Sequence, residues 1–341
     1  MVYNKYLYAL VDMSYLLSRN LFAASRGKNI NEFTEGDVIR ITLQTINKIP
    51  RDYGITCDKF IFLFDKWDKT LGGYYRTYLL KNYVTYKGSR RYMDEVLLEE
   101  IKSNPESTPE QIAAAELEYY TNQVKYKSKW GMIRDLKNFG IPCFGVDGWE
   151  FDDLAWLAGC MLYNKDNGKK SVIITKDSDL QYSLTPQMDY FRLPTGGSDP
   201  EVITYNQMYA TIPDVLKEKG VSLYQYKAYL DSLGFGHNDM TKTAKSRIDP
   251  TNIICEVLNG DYTNVENVEA FTKQMESFDL SKFPRLAEAQ EMIATELGTS
   301  GKIGTVEDFH KFCTKYKVTG ISDAYFSELM GRFDEKLFSG K

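Results

Sequence analysis

The chain predicts an α/β layered fold with a mostly parallel central sheet, followed by a helical region. Three observations carry this. Short β-branched apolar runs alternate with helical patterns as far as about residue 199. Four of these runs end on, or just before, acidic residues. Beyond about Asp199 the strand signal fades and the remainder reads as helices and loops. Strands alternating with helices imply layered units around a parallel sheet.

The elements follow in order. "YLYALVD" reads as a first strand ending at Asp12, and Ser14 is placed to N-cap the helix "SYLLSRNLFAA". "GDVIRITLQTINKIPRDYG" reads as a helix, and "KFIFLFD" as a second strand ending at Asp65. A basic, tyrosine-rich segment runs on to about Tyr92. Helices broken near Pro105 and Pro109 follow, as far as "KNFG". "IPCFGVDG" reads as a third strand, ahead of the helix "EFDDLAWLAGCML". "KSVIITKD" is the fourth and "MDYFRL" the fifth. Loops are expected at Gly234–Asp249 and Leu297–Gly304. The tail from Ile303 reads as amphipathic helices that cover the core or bind a partner, with packing favoured. No internal repeat or low-complexity tract is visible.

With 341 residues, 43% hydrophobic and 26% charged, the chain has ordinary globular composition and ample material for a core. The formal net charge of −5 advertises neither nucleic acid nor a membrane surface, although a local basic stripe works inside an acidic protein. Five widely spaced cysteines (Cys57, Cys143, Cys160, Cys255, Cys313) suit a reducing cytosol and lack zinc-ligand spacing. His310 and Cys313, three apart, do not make a zinc site alone. "GTSGKIG" lacks the spacing of a phosphate-binding loop, which excludes that nucleotide-hydrolase motif. No apolar run is long enough to span a bilayer. Asp12 interrupts the apolar N-terminus and no cleavage site follows it, so no signal peptide is expected. The expected location is the cytoplasm.

The acids carry the chemistry. They are Asp12, Asp65, Glu150 with Asp152 and Asp153, and Asp177 with Asp179. In open α/β sheets the carboxyl ends of strands form the ligand crevice, so these acids are expected to converge there. Two carboxylates about 4 Å apart repel by roughly 4 kcal/mol at an effective dielectric near 20. A cluster of this size requires protons or cations. All-oxygen ligation without histidine or cysteine selects magnesium or manganese over zinc. Two such ions about 4 Å apart can clamp the attacking water and the leaving oxygen of a phosphodiester. Singly each acid has a plainer reading: Asp177 as a helix cap, the acids of "EFDD" as a helix start, Asp12 as a turn acid. Asp68 and Asp147 are expected to be solvated.

The segment between Lys66 and Arg91 holds seven bases (Lys66, Lys69, Arg76, Lys81, Lys87, Arg90, Arg91) against one acid, Asp68. Six tyrosines lie in or just after it. Interleaved bases and aromatics suit a single strand, with phosphates paired and bases stacked. The plainer alternative is a solvated helix face over packed tyrosines. Arg19, and Arg26 with Lys28, serve equally well as duplex contacts or as plain surface.

Together these residues resemble the flap endonuclease and 5′–3′ exonuclease family, most of all its phage-type ribonuclease H nucleases. "VDMSYLLSR" and "FLFDKWD" resemble its first two acidic strands. "YKGSR" resembles its Y-K-x-x-R signature, "WEFDDLAWLA" its E-A-D-D motif with Phe151 for alanine, and "IITKDSDLQ" its D-x-D-x-x-Q motif. The resemblance implies a PIN-like 5′ nuclease fold over residues 1–200, with a helical gateway or arch at about 74–138. Residues 201–341 would form a helical DNA-binding and C-terminal region containing a helix–three-turn–helix-type unit. It further implies Asp12, Asp65, Glu150, Asp152 and Asp153 at a first metal, with Asp177 and Asp179 bridging toward a second. Lys87 and Arg90 would grip the scissile phosphate, with Arg76 ahead of the arch. Two Mg2+ or Mn2+ ions are implied, with DNA flaps, nicks or RNA–DNA hybrids as substrates. A monomer is expected, in a bacterial host's cytoplasm if phage-encoded, with a replication protein as possible partner of the C-terminal region.

One element departs from the pattern. Where the family has G-D-x-x-D-N, this chain reads "LGFGHND". Asp239 then takes the second aspartate's place and Gly236 the first's, with Asp231 on the preceding helix as a substitute at the wrong spacing. Lys242, Lys245 and Arg247 remain to hold duplex phosphates, and His237 reads as a polar loop residue. The departure supports one rival, a DNA-junction binding protein without turnover; against the other, a PIN-like RNA nuclease, stand the basic segment and the length of the second region.

Overall fold

The computed structural model describes residues 4–82, 93–136, 139–163, 170–194, 199–236, 242–245, 248–298 and 304–331. Along the chain it runs β1 (Asn4–Asp12), α1 (Met13–Ser25), α2 (Glu35–Tyr53), β2 (Ile55–Leu63) and α3 (Tyr75–Leu80). Then come α4 (Glu95–Ser103), α5 (Pro109–Leu136), β3 (Cys143–Phe144), α6 (Phe151–Tyr163), β4 (Ser171–Thr175), β5 (Met188–Arg192) and β6 (Glu201–Ile203). The remainder is helical: α7 (Tyr205–Tyr209), α8 (Asp214–Glu218), α9 (Leu223–Leu233), α10 (Pro250–Leu258), α11 (Val268–Glu276), α12 (Leu286–Gly298), α13 (Val306–Tyr316) and α14 (Asp323–Gly331). Of the strand pairings within the two compact units described next, three are parallel and one antiparallel. The fold is the α/β class with a mostly parallel sheet.

The first unit comprises residues Met1–Leu63, Arg91–Phe144 and Gly298–Lys341. β1 pairs parallel with β2, Asp12 opposite Leu63, and β2 pairs parallel with β3. Leu10, Val11, Phe60 and Phe62 are almost wholly buried, as strands covered on both faces require. β1 runs into α1 without a loop. The N-cap is therefore Asp12, whose Oδ1 accepts from the Tyr15 N–H at 2.8 Å, and not the expected Ser14, which falls inside the first turn. α2 opens on a Thr34–Asp37 capping box and ends on left-handed Gly54. The expected break near Pro105 and Pro109 separates α4 from α5, with Pro109 opening α5, where its missing N–H costs nothing.

The C-terminal helices pack within this unit. Phe309 stacks on Phe326 with centroids 4.0 Å apart, and Phe139 meets both edge-on. The Tyr325 hydroxyl donates to the Leu43 carbonyl at 2.9 Å. Tyr316 lies over Gly131 of α5, where an added Cβ would stand 2.5 Å from its ring. Its hydroxyl donates to Asp135, which also accepts from Lys315 Nζ at 2.7 Å.

The second unit comprises Phe64–Arg90 and Gly145–Leu297. β4 is buried along its whole length and pairs parallel with β5. β6 returns antiparallel to β5, with Ile203 opposite Tyr190. Sequence periodicity did not reveal β6, since three residues of mixed exposure carry no repeat. Trp156 stacks on Tyr224 at 4.3 Å, and Tyr224 meets Phe278 edge-on. Trp149 is fully buried and its Nε1 donates to the Pro284 carbonyl at 2.7 Å. This satisfies the indole N–H that burial would otherwise orphan.

Candidate active site

Within the second unit the carboxylates are held at defined places. Asp65 follows β2 by two residues, and its Oδ1 accepts the Phe151 N–H at 2.7 Å. That bond ties the loop after β2 to the first turn of α6. Glu150 precedes α6 and is 4% exposed. Asp153 reaches back to the Glu150 N–H at 3.4 Å, half of a capping box. Asp152 shares that turn, where acids also complement the helix dipole. After β4, Asp177 caps the short 3-10 turn Ser178–Ser183 by accepting the Asp179 N–H at 3.0 Å. The capping reading of Asp177 and the ligand reading are compatible, since one carboxylate offers two oxygens. Asp12, in the first unit, is described above.

Two cations, one buried and one half-buried, meet these acids. Arg76 of α3 is 6% exposed, pairs through Nη2 with Asp153 (1% exposed), and donates from Nε to the Ser277 carbonyl at 3.2 Å. Lys227 of α9 pairs with Asp231 and lies 3.6 Å from Asp179. Both cations stand over the Phe278 ring, Arg76 at 5.0 Å and Lys227 at 5.6 Å from its centroid. Burial presses the Lys227 pKa down, but Asp231 and Asp179 outweigh it and hold the ammonium above its ordinary value. Burial raises the Asp231 carboxyl above its ordinary value, with Lys227 offsetting only part. The Asp231 carboxyl also feels Asp179 and Arg76, so the two cation–acid groups share one electrostatic neighbourhood around Phe278.

The altered loop has a physical explanation. Asp231 is buried at 2% exposure, and its carboxylate lies directly against Gly236. A Cβ at position 236 would stand 1.7 Å from Asp231 Oδ1. Gly236 is held there by its N–H to the Leu230 carbonyl at 3.2 Å, next to left-handed Gly234 at the end of α9. The space a side chain at 236 would need is filled by the carboxylate of Asp231. The sequence gives one signal for this pair: Lys227 and Asp231 are four apart on one helix. No motif surrounds Lys227, and nothing in the sequence links Phe278 to the acids.

Donor chemistry at the acids is all oxygen, which fits a hard divalent cation. Among the described residues, however, no three histidine, cysteine or acidic side chains gather closely enough to hold an ion. Arg76 and Lys227 compensate charge at Asp153 and Asp179. Asp68 departs from the expected solvation: it is 4% exposed, and its Oδ1 accepts the Thr70 and Leu71 N–H groups at 2.6 and 3.2 Å. Asp147 pairs with Lys66 and Arg285.

Of the basic residues, Arg76 is buried on Asp153 as described. Lys81 is exposed, with its ammonium 4.9 Å from the Tyr78 ring centroid. Lys242 and Lys245 are exposed on the loop after Gly236, which is tied back by Thr243 and Ala244 N–H bonds to the Leu233 carbonyl. Lys87, Arg90, Arg91, His237, Asp239 and Arg247 lie outside the described residues.

No family model matches this sequence, and no curated protein matches it. Solved structures do. The T5 D15 protein co-crystallised with metal ions is 16% identical over 97% of this chain and 98% of that one, at a TM-score of 0.43. Human GEN1 in complex with Holliday junction DNA is 14% identical over 96% of this chain and 73% of that one, at 0.46. The catalytic core of Rad2 in complex with DNA substrate is 14% identical over 96% and 92%, at 0.41. Likenesses at these levels decide neither a family nor a reaction; the chain is similar to these nucleic-acid-processing proteins along nearly its whole length.

Proposed function

We propose that the chain is a divalent-metal-dependent phosphodiesterase, a structure-selective 5′ nuclease acting on DNA. The observation that supports this most is the Phe151 N–H to Asp65 bond. It brings the acid that follows β2 to the acidic first turn of α6, in a unit that also carries Asp177 and Asp179. On the motifs, Asp12, Asp65, Glu150, Asp152, Asp153, Asp177, Asp179 and Asp239 are the residues to hold Mg2+ or Mn2+. Lys87 and Arg90 are the residues to face the scissile phosphate. Bound there, such ions would supply an activated water and offset phosphate charge. The chain's own part is to fix the carboxylates. Asp65 is oriented by Phe151, Asp177 by its turn, and Asp153 and Asp179 by Arg76 and Lys227. Flaps, nicks and RNA–DNA hybrids are the proposed substrate forms. The rival reading, a junction-binding protein without turnover, draws on Arg76 and Lys227 already neutralising two of the acids.

Asp177→Asn separates the two. It should abolish cleavage of a 5′-flap DNA in magnesium and keep flap binding by fluorescence anisotropy. A parent that binds the flap and never cleaves it, in magnesium or manganese, contradicts the nuclease reading and leaves the binding one.

A further inference from the structure

The geometry points to an aromatic strip, Trp67, Tyr74 and Tyr78, as a stacking platform for the bases of single-stranded DNA. This rests on the nuclease reading for its location and deepens it by assigning the strand's base contacts.

Trp67 stands two residues beyond Asp65, about 7 Å of extended chain. It is 49% exposed, whereas Trp149 of the adjoining loop is fully buried. Chance mobility does not explain that exposure, because the backbone around it is pinned. Lys66 exchanges hydrogen bonds with the Gly148–Trp149 loop immediately before Glu150, at 2.8 and 3.0 Å. Asp68 and Gly73 exchange both of their backbone bonds at 3.1 Å, closing a tight turn. The buried Asp68 carboxylate holds the turn's interior through Thr70 and Leu71. The fold thus spends a buried, bonded aspartate on a turn whose flank displays an indole.

The strip continues from there. Tyr74 meets the Trp67 ring edge-on, with centroids 5.7 Å apart. Tyr78 lies one helical turn beyond Tyr74 and is 43% exposed, with the Lys81 ammonium over its ring. Lys69 is exposed on the turn itself. Flat aromatic faces spaced along one segment, with lysines beside them, match a single strand, whose bases offer π-faces and whose phosphates offer charge. Duplex DNA hides its base faces, so the strip selects the single-stranded portion of a substrate. A protein partner would not need the lysines beside the rings, and it becomes an outcome of the test.

The test measures binding in chelator, where no cleavage occurs. Trp67 is the one tryptophan of four that is exposed, so intrinsic fluorescence reports on it. Oligo(dT) should quench the parent, and an abasic oligonucleotide of equal charge should quench far less. By anisotropy, Trp67→Phe should bind oligo(dT) close to the parent, while Trp67→Ala should bind roughly 5- to 100-fold more weakly. Equal affinity of Trp67→Ala and parent overturns the inference, as does equal quenching by the abasic strand or no binding of oligo(dT) at all. Cleavage that proceeds without any dependence on Trp67 removes this inference and leaves the nuclease. Trp67-dependent binding without cleavage in either metal removes the nuclease and leaves the platform.

Discussion

Gly236→Ala tests whether Asp231 occupies the place of a side chain at 236. The backbone at Gly236 is not left-handed, so alanine meets no conformational penalty there. Any cost must come from contact. The new Cβ would stand 1.7 Å from Asp231 Oδ1 and 2.9 Å from its Cγ. Neither side yields easily. Gly236 is bonded to the Leu230 carbonyl, and the Asp231 carboxylate is buried on Lys227. Forcing a methyl into such a space costs about 1–3 kcal/mol. If the carboxylate is driven off Lys227, the loss approaches the roughly 3–5 kcal/mol of a broken buried pair. Urea midpoints for the parent, Gly236→Ala, Asp231→Ala and the double variant close a double-mutant cycle. With the carboxylate gone, the methyl should be tolerated, giving a coupling above about 1 kcal/mol, where independent sites add within about 0.5. Additive costs would refute the idea that the two residues compete for one space.

Two more predictions use the same logic. Arg76→Met leaves the buried Asp153 without its cation and should cost about 3–5 kcal/mol in urea unfolding, with Asp153→Asn recovering part of it in the double variant. At Asp135, burial pushes the carboxyl pKa up, but Lys315 and the Tyr316 hydroxyl outweigh it and hold it below the ordinary value of 3.8. A carboxyl depressed in the folded state contributes stability above its unfolded pKa and loses it as pH falls through the folded one. The stability gap between parent and Asp135→Asn should therefore be full near pH 6 and close below about pH 4; a gap that widens in acid contradicts the pairing.

Strands β1, β2, β4 and β5 were legible because each carries apolar residues that the core buries. "SVIIT" is one such strand, and it is buried along its whole length. β6 was not, since "EVI" is short and partly exposed. β3 shrank to two residues, Cys143–Phe144. Acids at strand ends were visible as residue types at a spacing. Their counter-charges were not, because Lys227 is far in sequence from Asp179 and carries no motif. At Gly236 the sequence offered Asp231 as a substitute acid at the wrong spacing; what it could not show is that the Asp231 carboxylate packs directly against Gly236.

The central claim is metal-dependent phosphodiester cleavage, and the most direct measurement is the product map of a 5′-labelled flap DNA. Purified protein would be incubated with it in magnesium, in manganese and in chelator. The account predicts cutting near the junction in either metal and none in chelator. An intact flap under all three conditions, with protein shown to be bound to it, would contradict the account.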